Sequence, residues 1–184
     1  MANVQEFPAI FLTGQPGCGK TTIIQKLLTS IQHQAAGFYT RELREDNVRY
    51  GFEIVTLDGK QSLLATKEAK VHFEKEQTLG TYKVNLDAID SVAVPALLKA
   101  ISTKKIALVD EIGPMEIFSR PFCDTILNLL NRADVPVLGT IVERPNEFAD
   151  MVKAHPRVAL ITVTAQNRDS LPQTITSMLA GIIP

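Results

Sequence analysis

The sequence predicts an α/β fold in which a mostly parallel sheet lies between two layers of helices. Short apolar segments alternate with segments of helical spacing along most of the 184 residues. Strands and helices that alternate in this way form parallel sheets covered on both faces. A glycine-rich loop at residues 14–21 separates the first apolar segment from the first helical one, an order typical of phosphate-binding α/β proteins. The length favours a single domain over residues 1–184.

The glycine-rich loop predicts that the chain binds a nucleoside triphosphate. Its residues, GQPGCGKT, fit the pattern G-x-x-x-x-G-K-[ST]. The glycines let backbone N–H groups approach phosphate oxygens, Lys20 places a charge near the β- and γ-phosphates, and Thr21 can ligate Mg²⁺. The N-terminus of the next helix adds partial positive charge. We therefore expect the phosphates to contact consecutive residues of the loop and helix start: Gly14, Gln15, Pro16, Gly17, Cys18, Gly19, Lys20, Thr21 and Thr22.

The first elements surround an insertion of a different character. A strand at residues 9–13 precedes the glycine-rich loop and a helix at 22–28 follows it. Aromatic and β-branched residues then become frequent, which favours strands. They form segments at residues 37–43, 49–57 and 61–65, separated by turn residues at 45–47 and 58–59. We therefore predict a small antiparallel β meander inserted after the first strand–helix unit, at residues 36–66, and a further strand at 82–84.

The second half of the chain returns to alternating strands and helices. We predict strands at residues 105–109, 135–141 and 158–163, and helices at 86–101, 121–130, 145–154 and from 171 onward. Pro95 should kink the first of these helices or mark its true start. Ser119 is a predicted N-cap, and Asp169 or Ser170 is expected to cap the last helix.

Asp110 and Glu111 follow an apolar strand, as in a Walker B pattern. An aspartate at that strand end lies beside the phosphate loop, so we expect Asp110 to hold Mg²⁺ together with Thr21. Glu111 is expected to orient the water that attacks the γ-phosphorus, and we predict Lys20 and Glu111 to be catalytic. Proteins with this pair carry an extra strand between the loop strand and the Walker B strand, which residues 137–140 can supply. The predicted fold is therefore a P-loop NTPase three-layer αβα sandwich of the RecA-like (ASCE) type.

Several residues near these motifs have two interpretations each. Thr140 can hydrogen-bond the attacking water or the γ-phosphate, or simply cap its strand. Arg144 can stabilise charge on the γ-phosphate as an arginine finger does, or lie on the surface. Glu116 and Arg120 can face the site or belong to a surface helix. Asp110 and Gly113 also satisfy D-x-x-G, a γ-phosphate-sensing pattern of GTPases, although Gly-Pro at 113–114 equally predicts a turn.

The loop at residues 164–169 follows the last strand and is expected to lie against the nucleobase. Asn167 can hydrogen-bond a base edge, and Arg168 can stack on the base. Alternatively Asn167 is an ordinary loop residue.

Composition limits the remaining classes of partner. The formal net charge is −1 and 21% of residues are charged, so no basic excess indicates nucleic acid or an anionic membrane. Cys18 and Cys123 lack metal-ligand spacing, and the three histidines are isolated. The first apolar stretch is too short for a signal core or a transmembrane helix. We expect a cytoplasmic monomer whose cofactor is Mg²⁺.

Together these segments resemble the THEP1 nucleoside-triphosphatase family, from about residue 9 to residue 182. The specific ones are Gly-Phe-Tyr-Thr at 37–40, Asp-Glu-Ile-Gly-Pro-Met-Glu at 110–116 and Asn-Arg-Asp-Ser-Leu-Pro at 167–172. The resemblance implies Mg²⁺-dependent hydrolysis of several nucleoside triphosphates, among them ATP, GTP, CTP and UTP. It also implies that nucleotide is bound by the phosphate loop and by the Walker B stretch: Leu108, Val109, Asp110, Glu111, Ile112, Gly113, Pro114 and Met115.

These residues are compatible with three functions. An NTP hydrolase uses Glu111 to direct water. A phosphotransferase would instead use the meander, with Arg41 and Arg44, as a site for a small nucleotide-like acceptor, behind a closing lid. A GTP-sensing switch would use the D-x-x-G pattern, but the chain contains no N-K-x-D guanine motif. The hydrolase is the leading interpretation.

Overall fold

The computed structural model describes residues 8–180, which contain one nine-stranded sheet with helices packed on its faces. The strands are β1 (Ala9–Thr13), β2 (Ala35–Glu45), β3 (Val48–Thr56), β4 (Gln61–Thr66), β5 (Glu76–Leu79), β6 (Tyr82–Asn85), β7 (Ile106–Ile112), β8 (Val137–Ile141) and β9 (Val158–Thr162). Their spatial order is β5-β6-β4-β3-β2-β7-β8-β1-β9. The predicted domain of residues 1–184 extends at both ends beyond the described residues.

The helices are α1 (Lys20–Ile31), α2 (Leu86–Ala88), α3 (Val94–Thr103), α4 (Arg120–Leu130), α5 (Glu147–Lys153) and α6 (Leu171–Leu179). A π-helical turn, Ile89–Ala93, joins α2 to α3. Pro95 lies in the first turn of α3, where the missing N–H does little harm. Among the described residues, no helix is both long enough and apolar enough to cross a membrane.

The parallel half of the sheet consists of β2, β7, β8, β1 and β9. Strand β8 lies between β1 and β7, in the position that the Asp-Glu pair predicts. The α/β prediction with a mixed, mostly parallel core sheet is confirmed.

The antiparallel half extends the same sheet and does not form a separate layer. The first residues of β2 pair in parallel with β7, and its later residues pair antiparallel with β3. Strands β3, β4, β6 and β5 then follow in antiparallel order. Strand β5, which is four residues long and half exposed, was not predicted from sequence. Because β2 belongs to both halves, the meander is held directly beside β7.

Alternation along β1 separates two hydrophobic cores. Phe11 packs with Phe38, Phe122 and residues of α3 and α4 on one face of the sheet. Ile10 and Leu12 pack with α1 and α6 on the other face. Since successive strand residues point to opposite faces, four apolar residues of β1 are shared between the two cores, two in each.

Helix caps agree with the sequence in one place and differ in another. The Ser119 hydroxyl accepts a hydrogen bond from the Phe122 N–H at 3.1 Å, so the predicted cap of α4 is confirmed. Ser170 occupies the N-cap position of α6, but its side chain makes no capping bond there. Its hydroxyl instead donates to the Asn167 carbonyl, so the predicted capping interaction is wrong.

Candidate nucleotide site

Three parallel strands deliver the predicted phosphate and metal residues to one edge of the sheet. Leu12 lies opposite Thr140, and Val109 lies opposite Gly139. The chain therefore leaves β1 into the phosphate loop close to Asp110 and Thr140, which lie near the carboxyl ends of β7 and β8. Ligands bind at the carboxyl ends of strands in folds of this kind.

The phosphate loop depends on glycine at its first position. Gly14 has a φ of +138°, and an added Cβ would lie 2.8 Å from the Val163 carbonyl oxygen and 3.1 Å from the Cys18 Sγ. A side chain there would collide with the end of β9. Lys20 begins α1, and its ammonium group donates to the Gly14 carbonyl at 2.8 Å. The ammonium group of Lys20 is therefore held next to the phosphate loop.

Asp110 is a buried carboxylate with one oxygen left unpaired. The Thr140 hydroxyl donates to Asp110 Oδ1 at 2.6 Å, and both residues are almost fully buried. Asp110 Oδ2 is buried without a hydrogen-bond partner in the described part of the chain. Burial raises the pKa of Asp110 to about 6, while the Thr140 and Thr21 hydroxyls and the charge of Lys20 pull it down. Thr140 therefore orients Asp110, which is neither of the two roles considered from sequence.

The free oxygen of Asp110 and the neighbouring Thr21 hydroxyl form an all-oxygen donor set. Magnesium is a hard cation that prefers oxygen ligands and keeps several waters. A buried carboxylate oxygen without a partner is costly unless a cation or proton meets it. These residues therefore fit Mg²⁺.

Glu111 follows Asp110 through a cis peptide bond and lines the space in front of Lys20. Burial raises the pKa of Glu111, and the charge of Lys20 partly offsets that rise. A raised pKa makes a carboxylate a better proton acceptor. Glu111 is thus placed where a base beside the terminal phosphate is expected.

Glu116 is a buried carboxyl group packed against the same turn. An added Cβ on Gly113 would lie 2.7 Å from Glu116 Oε2 and 3.0 Å from Glu111 Cγ. Burial, with the nearby charge of Glu111, raises the pKa of Glu116 to about 8. A side chain at position 113 would therefore displace the Glu116 carboxyl group and crowd Glu111.

Two clefts meet at Lys20 and Glu111. One, of about 460 Å³, also contains the loop residues 14–16 and Arg144. This placement favours the interpretation of Arg144 as a residue of the site. Arg120 behaves differently: its side chain is 91% exposed and lies 3.7 Å from Asp124, one helical turn away. Arg120 is a surface residue of α4.

The second cleft, of about 450 Å³, brings in residues of the meander. Thr40, Arg41 and Glu42 of β2, with Arg49 and Phe52 of β3, line it together with residues of the phosphate loop. Arg41 was named for the phosphotransferase interpretation, and sequence reasoning gave no role to the other four. The alternation of charged and aromatic residues on the meander was the available signal. It became interpretable only once β2 was known to pair with β7.

The arginines of the meander are paired with carboxylates. Arg41 Nε lies 2.7 Å from Glu53 Oε1. Glu42 contacts Arg44 at 2.6 Å and Arg49 at 2.8 Å. Each of these arginines therefore has an anionic partner, and their part in an acceptor site stays a prediction.

The loop after β9 holds its two candidate residues differently. Asn167 accepts from the Thr164 N–H at 2.8 Å and donates to the Thr162 carbonyl at 2.9 Å. Its amide therefore organises its own loop, as the alternative interpretation states. Arg168 is exposed, and its Cδ lies 3.8 Å from the point that a Cβ added to Gly19 would occupy. Arg168 is the side chain of this loop that borders the phosphate loop.

The Walker B stretch divides into buried and accessible parts. Leu108, Val109 and Ile112 are 0% exposed and belong to the two hydrophobic cores. They support the site from inside the sheet, and the nucleotide contact implied for them stays a prediction. Pro114 is exposed and Met115 is half-buried beside it, so these two can reach a ligand.

Known proteins resemble this chain over most of its length. A family model described as NTPase matches residues 9–176. Nucleoside-triphosphatase THEP1 of Thermotoga maritima is 37% identical over 170 residues, covering 92% of this chain and 94% of that protein. The cancer-related nucleoside-triphosphatase homolog of Mus musculus is 36% identical over 181 residues, covering 92% and 95%.

Two solved structures are similar over nearly their whole length. The crystal structure of THEP1 from Aquifex aeolicus matches with a TM-score of 0.83 and 33% identity, covering 93% of this chain and 98% of that one. The solution structure of a human cancer-related nucleoside triphosphatase matches with a TM-score of 0.79 and 31% identity, covering 94% and 97%.

Proposed function

This chain belongs to the THEP1 nucleoside-triphosphatase family, and from that premise we propose that it hydrolyses several nucleoside triphosphates to the diphosphate and phosphate with Mg²⁺. The substrates we propose are ATP, GTP, CTP and UTP. The observation that carries the proposal is the placement of Glu111 beside Lys20, next to Asp110 with its unpaired buried oxygen.

The chain's own residues divide the work. Lys20 and the loop amides neutralise the β- and γ-phosphates. Asp110 and Thr21 would hold Mg²⁺, which when bound supplies positive charge to the phosphate oxygens and orients them. Thr140 keeps the Asp110 carboxylate in one orientation through a 2.6 Å hydrogen bond. Glu111 orients a water toward the γ-phosphorus and accepts its proton.

Arg144 contributes charge from the opposite side of the cleft. It makes no salt bridge or hydrogen bond within residues 8–180, and it lines the same cleft as Lys20 and Glu111. A free guanidinium there can offset the charge of the γ-phosphate as the phosphoryl group transfers. We propose this role for Arg144.

The base end of the site supports broad specificity. Asn167, the residue suited to read a base edge, uses its amide within its own loop. Stacking on an arginine such as Arg168 is tolerant of base identity, since every base offers a π-face. We also propose a cytoplasmic monomer; its two cysteines, Cys18 and Cys123, are both free.

Steady-state phosphate release tests the proposed function. The purified chain should release phosphate from ATP, GTP, CTP and UTP with Mg²⁺, and release should stop when EDTA removes the metal. Lys20→Ala serves as the inactive control for contaminating phosphatases. Release that persists in that variant, or in EDTA, contradicts the proposal.

A further inference from the structure

A pocket of about 700 Å³ lies between the antiparallel half of the sheet and the loops after β7 and β8. It is larger than either cleft around Lys20, at about 460 and 450 Å³. Pockets of roughly 300–1,000 Å³ are the usual size for small-molecule ligands. The hydrolysis of a triphosphate by water leaves this space without a role.

The pocket borders the phosphate end of the site on two sides. Arg49 and Phe52 line both the pocket and the cleft that contains Thr21. Val142 and Arg144 line both the pocket and the cleft that contains the phosphate loop. Glu111 lines both of these clefts. A molecule in the pocket therefore lies next to both clefts that Glu111 lines.

The walls of the pocket suit a planar ring system. Phe52 and Tyr82 pack with ring centroids 5.4 Å apart, and Arg49 fixes the tyrosine by donating to its hydroxyl at 2.9 Å. Met115 and Pro145 add apolar surface on the facing side. Aromatic and apolar walls of this kind hold heteroaromatic rings by packing.

The charges of the pocket indicate an uncharged ligand. Arg49 is already paired with Glu42 at 2.8 Å. Arg144 makes no ion pair within the described residues, but it lies at the border with the nucleotide cleft, where the γ-phosphate would use it. No free cation within residues 8–180 lines the far side of the pocket for a phosphate monoester. An aromatic base carrying a sugar hydroxyl fits this distribution better than a nucleotide does.

We propose that the pocket, formed by Phe52, Tyr82, Met115, Arg144 and Pro145, binds a nucleoside and that a nucleoside hydroxyl replaces water as the phosphoryl acceptor. The hydroxyl oxygen forms the new bond to the γ-phosphorus, and the bond from that phosphorus to the bridging oxygen of the β-phosphate breaks. The hydroxyl proton passes to the Glu111 carboxylate. The products are a nucleoside diphosphate and a nucleoside monophosphate. This inference rests on the proposed hydrolytic site, whose metal and base it shares.

The test combines transfer and binding. The chain is incubated with Mg²⁺ and γ-labelled ATP, together with adenosine, guanosine, cytidine, uridine or thymidine in turn, and labelled phosphate and nucleoside monophosphate are separated. Calorimetry measures binding of the same nucleosides while Mg²⁺ and ADP fill the nucleotide site. We expect one nucleoside to bind and to divert at least half of the released label into its monophosphate.

Two matched variants on one hairpin locate the site. Thr81 is exposed and lines the pocket, so Thr81→Trp should fill it, abolish nucleoside binding and transfer, and leave hydrolysis unchanged. Thr78 is exposed on the preceding strand and lies outside the pocket, so Thr78→Trp should behave like the parent chain.

Each outcome has a distinct meaning. Hydrolysis without binding or transfer for any of the five nucleosides overturns the inference and leaves the hydrolase intact. Transfer that survives Thr81→Trp places the acceptor elsewhere and also overturns it. Absence of hydrolysis in the parent chain, with no transfer, contradicts the proposed function itself.

Discussion

The two halves of the sheet treat charged side chains in opposite ways. In the parallel half, Asp110, Glu111 and Glu116 are largely buried, and none of them makes a salt bridge within residues 8–180. In the antiparallel half, the arginines of β2 and β3 are partly exposed and each contacts a glutamate.

This difference separates buried charges that are available to ligands from exposed charges that are already paired on the surface. Burying carboxylates without salt-bridge partners costs stability, so such a cluster indicates that a cation and a reacting group are expected there. Exposed ion pairs contribute little to stability, and their carboxylates and guanidinium groups neutralise one another. The parallel half therefore carries the chemistry, and the antiparallel half forms walls with little free charge.

The largest expected effect is that of Asp110→Asn. Loss of the metal-holding carboxylate should reduce Mg²⁺-dependent phosphate release on the order of 10³-fold, since the metal supplies several kcal/mol of charge stabilisation. Activity near the parent rate would place the metal elsewhere.

The same substitution should stabilise the metal-free fold. The pKa of Asp110 is raised from 3.8 to about 6. The stability that protonated Asp110 contributes to the fold is therefore fully present below pH 3.8 and is lost as the pH rises through about 6. Asparagine has no such proton to lose, so the free energy of unfolding at pH 7 without Mg²⁺ should rise by about 1–3 kcal/mol. Urea unfolding measures this change, and a destabilised variant would contradict the comparison between the halves.

A smaller loss of activity is expected for Thr140→Val. The variant keeps the shape of the side chain but removes the hydrogen bond to Asp110 Oδ1. Groups that orient a metal ligand typically contribute about 10–100-fold to metal affinity or activity. The Mg²⁺ concentration for half-maximal activity should rise by that factor, and Thr140→Ser, which retains the hydroxyl, should restore it. Equal effects of valine and serine would contradict the orienting role.

Glu116→Gln should change the pH dependence of stability. The pKa of Glu116 is raised from 4.5 to about 8. The stability that the protonated carboxyl group contributes to the fold is therefore fully present below pH 4.5 and is lost as the pH rises through about 8. Asp110 is already ionised above about pH 6, whereas Glu116 still titrates in the interval from 6 to 8. There Glu116 should lower the unfolding free energy of the parent chain by up to about 1.4 kcal/mol per pH unit, and the slope of the variant should be smaller by that amount.

The smallest effect is expected for Arg41→Ala in the antiparallel half. Arg41 pairs with Glu53 at 2.7 Å, but its side chain is 52% exposed. Solvent screens such pairs, so the urea midpoint should not change measurably. A large loss of stability would show that charge pairing supports the antiparallel half.

Local motifs were predictable from sequence, and long-range placement was not. The phosphate loop and Asp110-Glu111 carry their chemistry within a few adjacent residues. The position of β8 was also predictable, because the Asp-Glu pair implies it. The role of Thr140 depends on a side-chain contact across two strands 30 residues apart, and the contribution of Phe52 depends on the pairing of β2 with β7.

The buried Glu116 shows the same limit. Its sequence context, after a Gly-Pro turn, resembles an exposed loop. Glu116 is buried because the turn folds its side chain back against Gly113. The residue types around it do not predict this contact. Likewise, the ion pairs of Arg41 with Glu53 and of Arg44 with Glu42 could not be predicted from sequence, because they depend on strand pairing and side-chain conformation.

The central claim is that Glu111 directs the attacking water, and Glu111→Gln tests it most directly. Nucleotide affinity, measured by calorimetry with Mg²⁺ and a non-hydrolysable ATP analogue, should stay within about twofold of the parent chain, because phosphate and metal contacts remain. Phosphate release in a single turnover should fall by roughly 10²-fold or more, the usual contribution of a positioned base. Parent-like phosphate release by this variant would contradict the account.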